Sequence, residues 1–252
     1  DGDDWILNGT KVYCTNGAKA SWVVAFATID PSLGRAGHRA FVVEKGTPGF
    51  SVGKIEDKLG LRASETAELV FEDCRVPNDN LLGGEERYDQ GKEGFMAAMK
   101  TFDNTRPVVA AMAVGVARAA LERTRELLEG EGITADYGRP RWRSDALEAE
   151  LYRLEADWEA ARLLTLRAAW MADNGRGNSL EASMAKAKAG RMGNEVTLRC
   201  VELCGGAGYA QEELLEKWAR DSKILDIFEG TQQIQQLIIA RQVLGKSSRE
   251  LR

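Results

Sequence analysis

The residues best placed to do chemistry are Glu229 and its neighbours in Ile224-Leu225-Asp226-Ile227-Phe228-Glu229-Gly230-Thr231-Gln232-Gln233-Ile234-Gln235. A carboxylate in an apolar setting holds its proton more tightly than in water and is a stronger general base. Glu229 stands beside Phe228 and is followed by Gly230, which a helix interior disfavours against alanine by about 1 kcal/mol. A glycine there leaves room for a flat group to approach the backbone. The commoner outcome of such a pattern is a solvated glutamate and a helix-breaking glycine. A second constellation is Asp103 and Arg106 in Phe102-Asp103-Asn104-Thr105-Arg106-Pro107. Three residues apart, they share one helical face, either as an ion pair worth about 0.2–0.5 kcal/mol or as a binding pair. The chain has one histidine, His38, in a loop-like Gly-Arg-Ala-Gly-His stretch, a poor basis for a Ser-His-Asp or Cys-His hydrolase. Cys14, Cys74, Cys200 and Cys204 show no Cys-x-x-Cys spacing and no ligand-spaced histidine, so they read as reduced thiols and no metal site is expected.

The elements that must position these residues fall into two blocks. Up to about Asn80 the sequence reads as β. Trp5-Ile6-Leu7, Asn8-Gly9 and Thr10-Lys11-Val12-Tyr13 carry a hairpin signal. Further strands are expected at 21–27, 39–44 and 66–77, with no helix between them, so the sheet should be mostly antiparallel, a small barrel or sandwich. After the turn-rich stretch 78–84 everything reads as helix: about 90–129 with Pro107 inside, about 144–173 with Ser144 as N-cap, about 179–204 stopping at Gly205-Gly206-Ala207-Gly208, a short piece at 211–215, and a last helix through Glu229 to about 243. In that last helix Ile224, Ile227, Phe228, Thr231, Ile234 and Ile238 recur at three- and four-residue steps, as one buried face would. The fold class expected is therefore α+β: a β-domain over 1–84 and an antiparallel four-helix bundle over 85–252.

At 252 residues, 44% hydrophobic and 29% charged, the composition is that of an ordinary globular chain. A net charge of −5 argues against a nucleic-acid partner and an anionic membrane surface. No apolar run approaches the ~20 residues of a spanning helix. The chain starts Asp-Gly-Asp-Asp without an initiator methionine and reads as the middle of a protein, a start from which a targeting segment is neither read nor excluded.

Phe228-Glu229-Gly230-Thr231-Gln232-Gln233-Ile234-Gln235, preceded by Arg220-Asp221-Ser222-Lys223 and followed by Leu237-Ile238-Ile239-Ala240-Arg241, resembles the signature helix of the acyl-CoA dehydrogenases. The resemblance implies that Glu229 is the base that removes the α-proton of an acyl-CoA thioester, with hydride passing to N5 of FAD to give a trans-2-enoyl-CoA. Phe228 and Gly230 would line the substrate. Tyr13-Cys14-Thr15-Asn16-Gly17 resembles the family's flavin loop. An aromatic face at Tyr13 suits a flat, electron-poor ring, and the Thr15 hydroxyl or a backbone amide suits its N5 edge; a plain hairpin followed by a turn is the alternative. By the same resemblance Gly205, Gly206, Thr231 and Gln233 contact FAD, and Asp103, Arg106 and Arg241 contact the CoA portion. Some members carry their base as a glutamate at the position of Thr105, so threonine here favours the short- to medium-chain arrangement.

Further implications are an electron-transferring flavoprotein as electron acceptor, a homo- or heterotetramer, and a bacterial cytoplasm or mitochondrial matrix as compartment. The alternatives are a non-catalytic subunit of a heteromeric dehydrogenase and an acyl-CoA oxidase-like flavoenzyme. Three departures from the family pattern bear on this choice. Thr134-Ala135-Asp136-Tyr137-Gly138 lacks the usual arginine, and Asp145 and Glu202 stand where flavin-contacting glutamines are usual. Acids near a pyrophosphate are unfavourable, which points to a flavin gripped by another chain, unless Arg139, Arg141 and Arg143 substitute. The resemblance covers the family's middle and C-terminal parts; its N-terminal helical domain and first β-segment have no counterpart here.

Overall fold

The computed structural model describes residues 2–88, 93–247 and 250. Its contacts divide the chain into two units, Asp1–Thr101 and Phe102–Arg252.

The first unit is built from two antiparallel sheets, β1 (Asp4–Thr15), β5 (Thr66–Pro77) and β4 (Phe50–Ile55) in the order β1-β5-β4, and β2 (Trp22–Thr28) with β3 (His38–Glu44). They share one apolar core of Leu7, Phe41, Val43, Leu69, Phe71, Cys74, Val76 and Leu81. Among the described residues there is no closed barrel; the sandwich alternative is the one observed. Strand β4 had no counterpart in the expected elements.

The Asn8-Gly9 hairpin does not form. Strand β1 runs unbroken from Asp4 to Thr15 along β5, and the register shifts between Leu7 and Gly9. Asn8 is satisfied across the ladder: its Nδ2 donates to Asp73 Oδ1 at 3.1 Å and its Oδ1 accepts from the Asp73 backbone amide at 2.8 Å. Asp73 takes a left-handed conformation, φ +46°. The two residues thus make a paired bulge rather than a turn, and its effect can be read in burial. On β5 the inward side chains are Ala67, Leu69 and Phe71 before the bulge and Cys74 and Val76 after it. One extra residue reverses the parity of the strand, and the bulge keeps both halves facing the core.

The second unit is helical, with α1 (Glu93–Gly130, beginning in the first unit), α2 (Ala146–Asp173), α3 (Ser179–Tyr209), α4 (Leu215–Ser222) and α5 (Gln232–Leu244). Helix α3 is central: α2, α4, α5 and the 3-10 turn Lys223–Asp226 pack on it. Its apolar face, Ala185, Ala189, Met192, Val196 and Cys200, meets Ala110, Ala113, Ala117 and Leu121 of α1 and Leu154, Ala161 and Ala168 of α2. Alanine at so many contact positions lets backbones approach closely. At Gly190 a Cβ would stand 2.8 Å from the Leu225 carbonyl, so α3 touches the turn before Glu229 backbone to backbone. Helix α2 is capped by Asp145, whose side chain accepts from the Glu148 amide at 2.8 Å, not by Ser144 as its sequence suggests. The expected start of α1 near Gln90 lies outside the described residues.

Pro107 sits inside α1. Having no N–H, it leaves the carbonyl four residues back, Asp103 O, without a helical partner. Asn178, buried at the start of α3, donates from Nδ2 to that carbonyl at 3.4 Å and to Ala168 O at 3.1 Å. Asn178→Ala is expected to cost about 1–3 kcal/mol, because it removes the partner of the Asp103 carbonyl that Pro107 leaves free. Chemical denaturation measures it; an unchanged midpoint would show that water replaces the amide.

Candidate active site

Glu229 does not lie on a helix. The expected continuous helix through 224–243 is broken: the 3-10 turn ends at Asp226, residues 227–231 are irregular, and α5 starts at Gln232. The apolar period that suggested one helix is misleading, since Ile227 and Ile234 are exposed while Leu225 and Gln235 are buried. The physical cause is a pair of consecutive left-handed residues, Glu229 at φ +56° and Gly230 at φ +91°. A non-glycine residue in that region carries strain and needs its surroundings to hold it there.

Those surroundings are specific. Gln235, fully buried on the first turn of α5, donates from Nε2 to Glu229 O at 3.2 Å and to Gly230 O at 3.0 Å. Lys186 of α3, also fully buried, donates from Nζ to Gly230 O at 2.7 Å. The Thr231 hydroxyl accepts from the Ile234 amide at 3.4 Å and caps α5. Here lies the reason for glycine at 230. A Cβ there would meet Gln235 Nε2 at 2.5 Å, so the space goes to the chain's own carboxamide rather than to a flat ligand.

The Glu229 carboxylate is held from α1. Thr105 Oγ1 donates to Glu229 Oε2 at 2.9 Å. One turn of helix thus joins Thr105 to the ion pair Arg106–Asp103, in which Arg106 Nη1 donates to Asp103 Oδ1 at 2.6 Å. Arg106 is 5% exposed and its Nε finds no partner. Burial pushes its guanidinium below the usual range, against the attraction of Asp103 and then of Glu229; an arginine nonetheless stays charged at neutral pH. Burial likewise pushes Lys186 from the ordinary 10.5 to about 8, against Asp226 and Glu229 and with a smaller push from Arg106. The inner side of the Glu229 loop is therefore polar, with Arg106 and Lys186 set among Asp103, Asp226 and Glu229, and is not the apolar niche its sequence neighbours suggest.

Glu229, Gly230, Phe228, Thr231, Asp103 and Arg106 thus gather in the second unit, with Phe228 packed on its core. Lys186 and Gln235 belong to the same cluster and were not foreseen; a lysine inside the alanine-rich run Ser183-Met184-Ala185-Lys186-Ala187 was the available signal. Gln233 is exposed on α5, and Arg241 is partly buried with an unpartnered Nε. Gly205 breaks α3 with φ +53°, ψ −125°, and Gly206 follows it.

Tyr13, Cys14 and Thr15 lie in the first unit at the end of β1. A second register shift, between Lys11 and Cys14, places Tyr13 on a bulge with φ +57° and 72% of its surface exposed. Cys14 and Thr15 border a cleft of about 460 Å³ walled by Trp22, Phe26 and Phe71. Burial pushes the Cys14 thiol up, with Lys11 opposing, so it is not an activated nucleophile.

The acids at the departures from the family pattern are committed locally. Asp145 caps α2, Glu202 pairs with Arg199, and Asp136 and Glu148 hold Arg139. All four cysteines are free thiols. Among the described residues there is no metal-ligating cluster, and no helix is long and apolar enough to cross a membrane.

The chain belongs to the acyl-CoA dehydrogenase family. The family's C-terminal domain model matches residues 92–244 and its middle domain model residues 1–74. The mitochondrial short-chain specific acyl-CoA dehydrogenase of Bos taurus is 42% identical over 97% of this chain and 57% of its own length. Butyryl-CoA dehydrogenase from Megasphaera elsdenii superposes with a TM-score of 0.86 at 37% identity, over 97% of this chain and 62% of that one. A chain in a structure of the electron transferring flavoprotein of Acidaminococcus fermentans gives a TM-score of 0.86 at 41% identity, with the same coverages. The chain thus spans about three-fifths of the length of these relatives.

Proposed function

We propose that the protein is an FAD-dependent acyl-CoA dehydrogenase that converts a short-chain acyl-CoA to its trans-2-enoyl-CoA, with Glu229 removing the α-proton. The observation that carries this reading is the strained, doubly anchored Glu229: a carboxylate aimed by Thr105 from α1 and by a backbone held from α3 and α5. Strain of this kind concentrates where geometry matters for chemistry. The names of the relatives support the acyl-CoA substrate and the short chain.

Each unit taken by itself carries residues that fit a flavin. On the first, Tyr13 is exposed and Thr15 lies two residues further along β1; on the second, Gln233 is exposed on α5. Thr231 accepts the cap bond, so its contact would come through the hydroxyl hydrogen or the lone pair the cap leaves free. When bound, FAD supplies the two-electron acceptor for the hydride that leaves the β-carbon. The chain's own part is to take the α-proton at Glu229 Oε, to hold that oxygen with the Thr105 hydroxyl, and to keep Arg106 and Lys186 near it as compensating charge. An electron-transferring flavoprotein is the acceptor we propose for the electrons, and a tetramer the assembly. The resemblance gives Asp103, Arg106 and Arg241 to CoA; the burial of Arg106 suits charge compensation beside Glu229 better than contact with a solvated ligand.

A panel of saturated acyl-CoAs of increasing chain length, added anaerobically to the FAD-loaded protein, tests the reading. Short acyl-CoAs are expected to bleach the visible flavin absorbance, with enoyl-CoA as product. No bleaching by any of them would overturn it.

A further inference from the structure

Lys186 is a buried ammonium whose hydrogen-bond acceptor is a neutral carbonyl. It has no exposed surface, and its Nζ lies 2.7 Å from Gly230 O. The same oxygen accepts from Gln235 Nε2 at 3.0 Å. Taking a charge out of water is expensive, and a neutral donor would serve a carbonyl at less cost. The groups that face this ammonium come from every element around it: Arg106, itself paired with Asp103, from α1; Asp226 from the 3-10 turn; Glu229 from the loop; and the neutral Gln235 from α5.

We propose that Lys186 is a positioning residue for Glu229: by holding the Gly230 carbonyl from α3, it fixes the left-handed Glu229–Gly230 pair and hence the aim of the carboxylate. The inference rests on the reading of Glu229 as the base. Three anchors act on one short loop. Thr105 holds the carboxylate, Gln235 both carbonyls, and Lys186 the Gly230 carbonyl with a charge-assisted bond, the strongest kind available. Glu229, the strained member of the left-handed pair, relaxes readily once an anchor is lost. A displacement of about 1 Å at a reacting group costs on the order of a hundredfold in rate.

A purely structural lysine would behave differently. With its value pushed down to about 8 from 10.5, Lys186 binds fewer protons in the folded than in the unfolded chain between these pH values. Stability therefore rises with pH across that window, and the buried charge costs stability below it. Lys186→Met should be no less stable than the wild type near neutral pH, although it removes an anchor. Turnover should fall as pH rises through about 8, where the ammonium becomes an amine and a weaker donor. Lys186→Arg does not titrate there, and its alkaline limb should move up or vanish.

The test uses the FAD-loaded protein and the variants Lys186→Met, Lys186→Arg and Glu229→Gln. It measures kcat and KM as functions of pH, thermal melting, and the enolate absorbance of a bound 3-oxoacyl-CoA, which reports α-proton removal without turnover. Lys186→Met is expected to melt like the wild type, to lose on the order of ten- to a hundredfold in kcat with KM little changed, and to lose enolate absorbance in parallel. Wild-type kcat and an unmoved alkaline limb overturn the proposal, as does a loss of melting temperature that accounts for the lost activity. Should Lys186→Met not fold, the alkaline limb of Lys186→Arg decides: left near its wild-type position, it overturns the proposal. Enolate formation by Glu229→Gln would remove the base assignment and this inference with it. Its loss in Glu229→Gln, with wild-type behaviour in both lysine variants, removes this inference alone.

Discussion

Glu229→Gln is expected to lower turnover with a short-chain acyl-CoA by at least ~10²–10⁴-fold, the usual worth of a positioned general base. The substitution keeps the shape of the side chain, and its carboxamide oxygen still accepts the Thr105 hydroxyl that now sits 2.9 Å from Oε2. The backbone bonds of Glu229 O and Gly230 O to Gln235, and of Gly230 O to Lys186, do not involve the side chain. Fold and bound flavin should therefore persist while the proton acceptor is gone. Steady-state assay with an artificial electron acceptor, beside the visible spectrum and a melting curve, separates these outcomes. Turnover within a few-fold of wild type would place the base elsewhere.

Gly230→Ala is expected to act on stability and rate together. An alanine at φ +91° is strained wherever it sits, and this one would bring its Cβ to 2.5 Å from Gln235 Nε2. Gln235 has no free direction in which to retreat: it is fully buried and its amide holds two carbonyls. Strain of about 1–3 kcal/mol is the expected cost, a fall in melting temperature on the order of 5 °C for a unit of this size. Because the loop that moves carries Glu229, kcat should fall by on the order of a hundredfold. An alanine variant with wild-type melting and turnover would show that the loop tolerates rearrangement and that its strain has no role.

The residues that gather around Glu229 are legible in the sequence chiefly through the family resemblance, and the remainder is hidden for definite reasons. Glu229 and Thr105 stand out in sequence and meet in space across 124 positions. The loop around Glu229 reads as helix in sequence because Ile224, Ile227, Phe228, Ile234 and Ile238 repeat at helical steps on both sides of a break. Periodicity cannot register the two left-handed residues, Glu229 and Gly230, that separate the 3-10 turn from α5. Lys186 leaves only a faint trace, a lysine in an alanine-rich run, and Gln235 leaves none, because a buried polar side chain looks like a solvated one until its partner carbonyl is known. Asn8-Gly9 has the letters of a hairpin turn, but Asn8 spends its amide on Asp73, and a bulge results. Pro107 inside α1 is plain in the sequence, while its consequence, a freed carbonyl met by Asn178 from another helix, depends on packing that no local pattern encodes. Asp145 and Glu202, which looked hostile to a flavin, are engaged as a helix cap and an ion pair, so their charge is answered within the chain.

The most direct measurement of the central claim is hydrogen exchange at the α-carbon. A short acyl-CoA analogue that cannot lose β-hydride is incubated in D2O with the FAD-loaded protein, and deuterium is located by NMR. The wild type should introduce deuterium at the α-carbon and nowhere else, and Glu229→Gln should exchange no faster than the analogue does in buffer. Exchange at the wild-type rate in Glu229→Gln would contradict the account, because the proton would then be leaving to some other group.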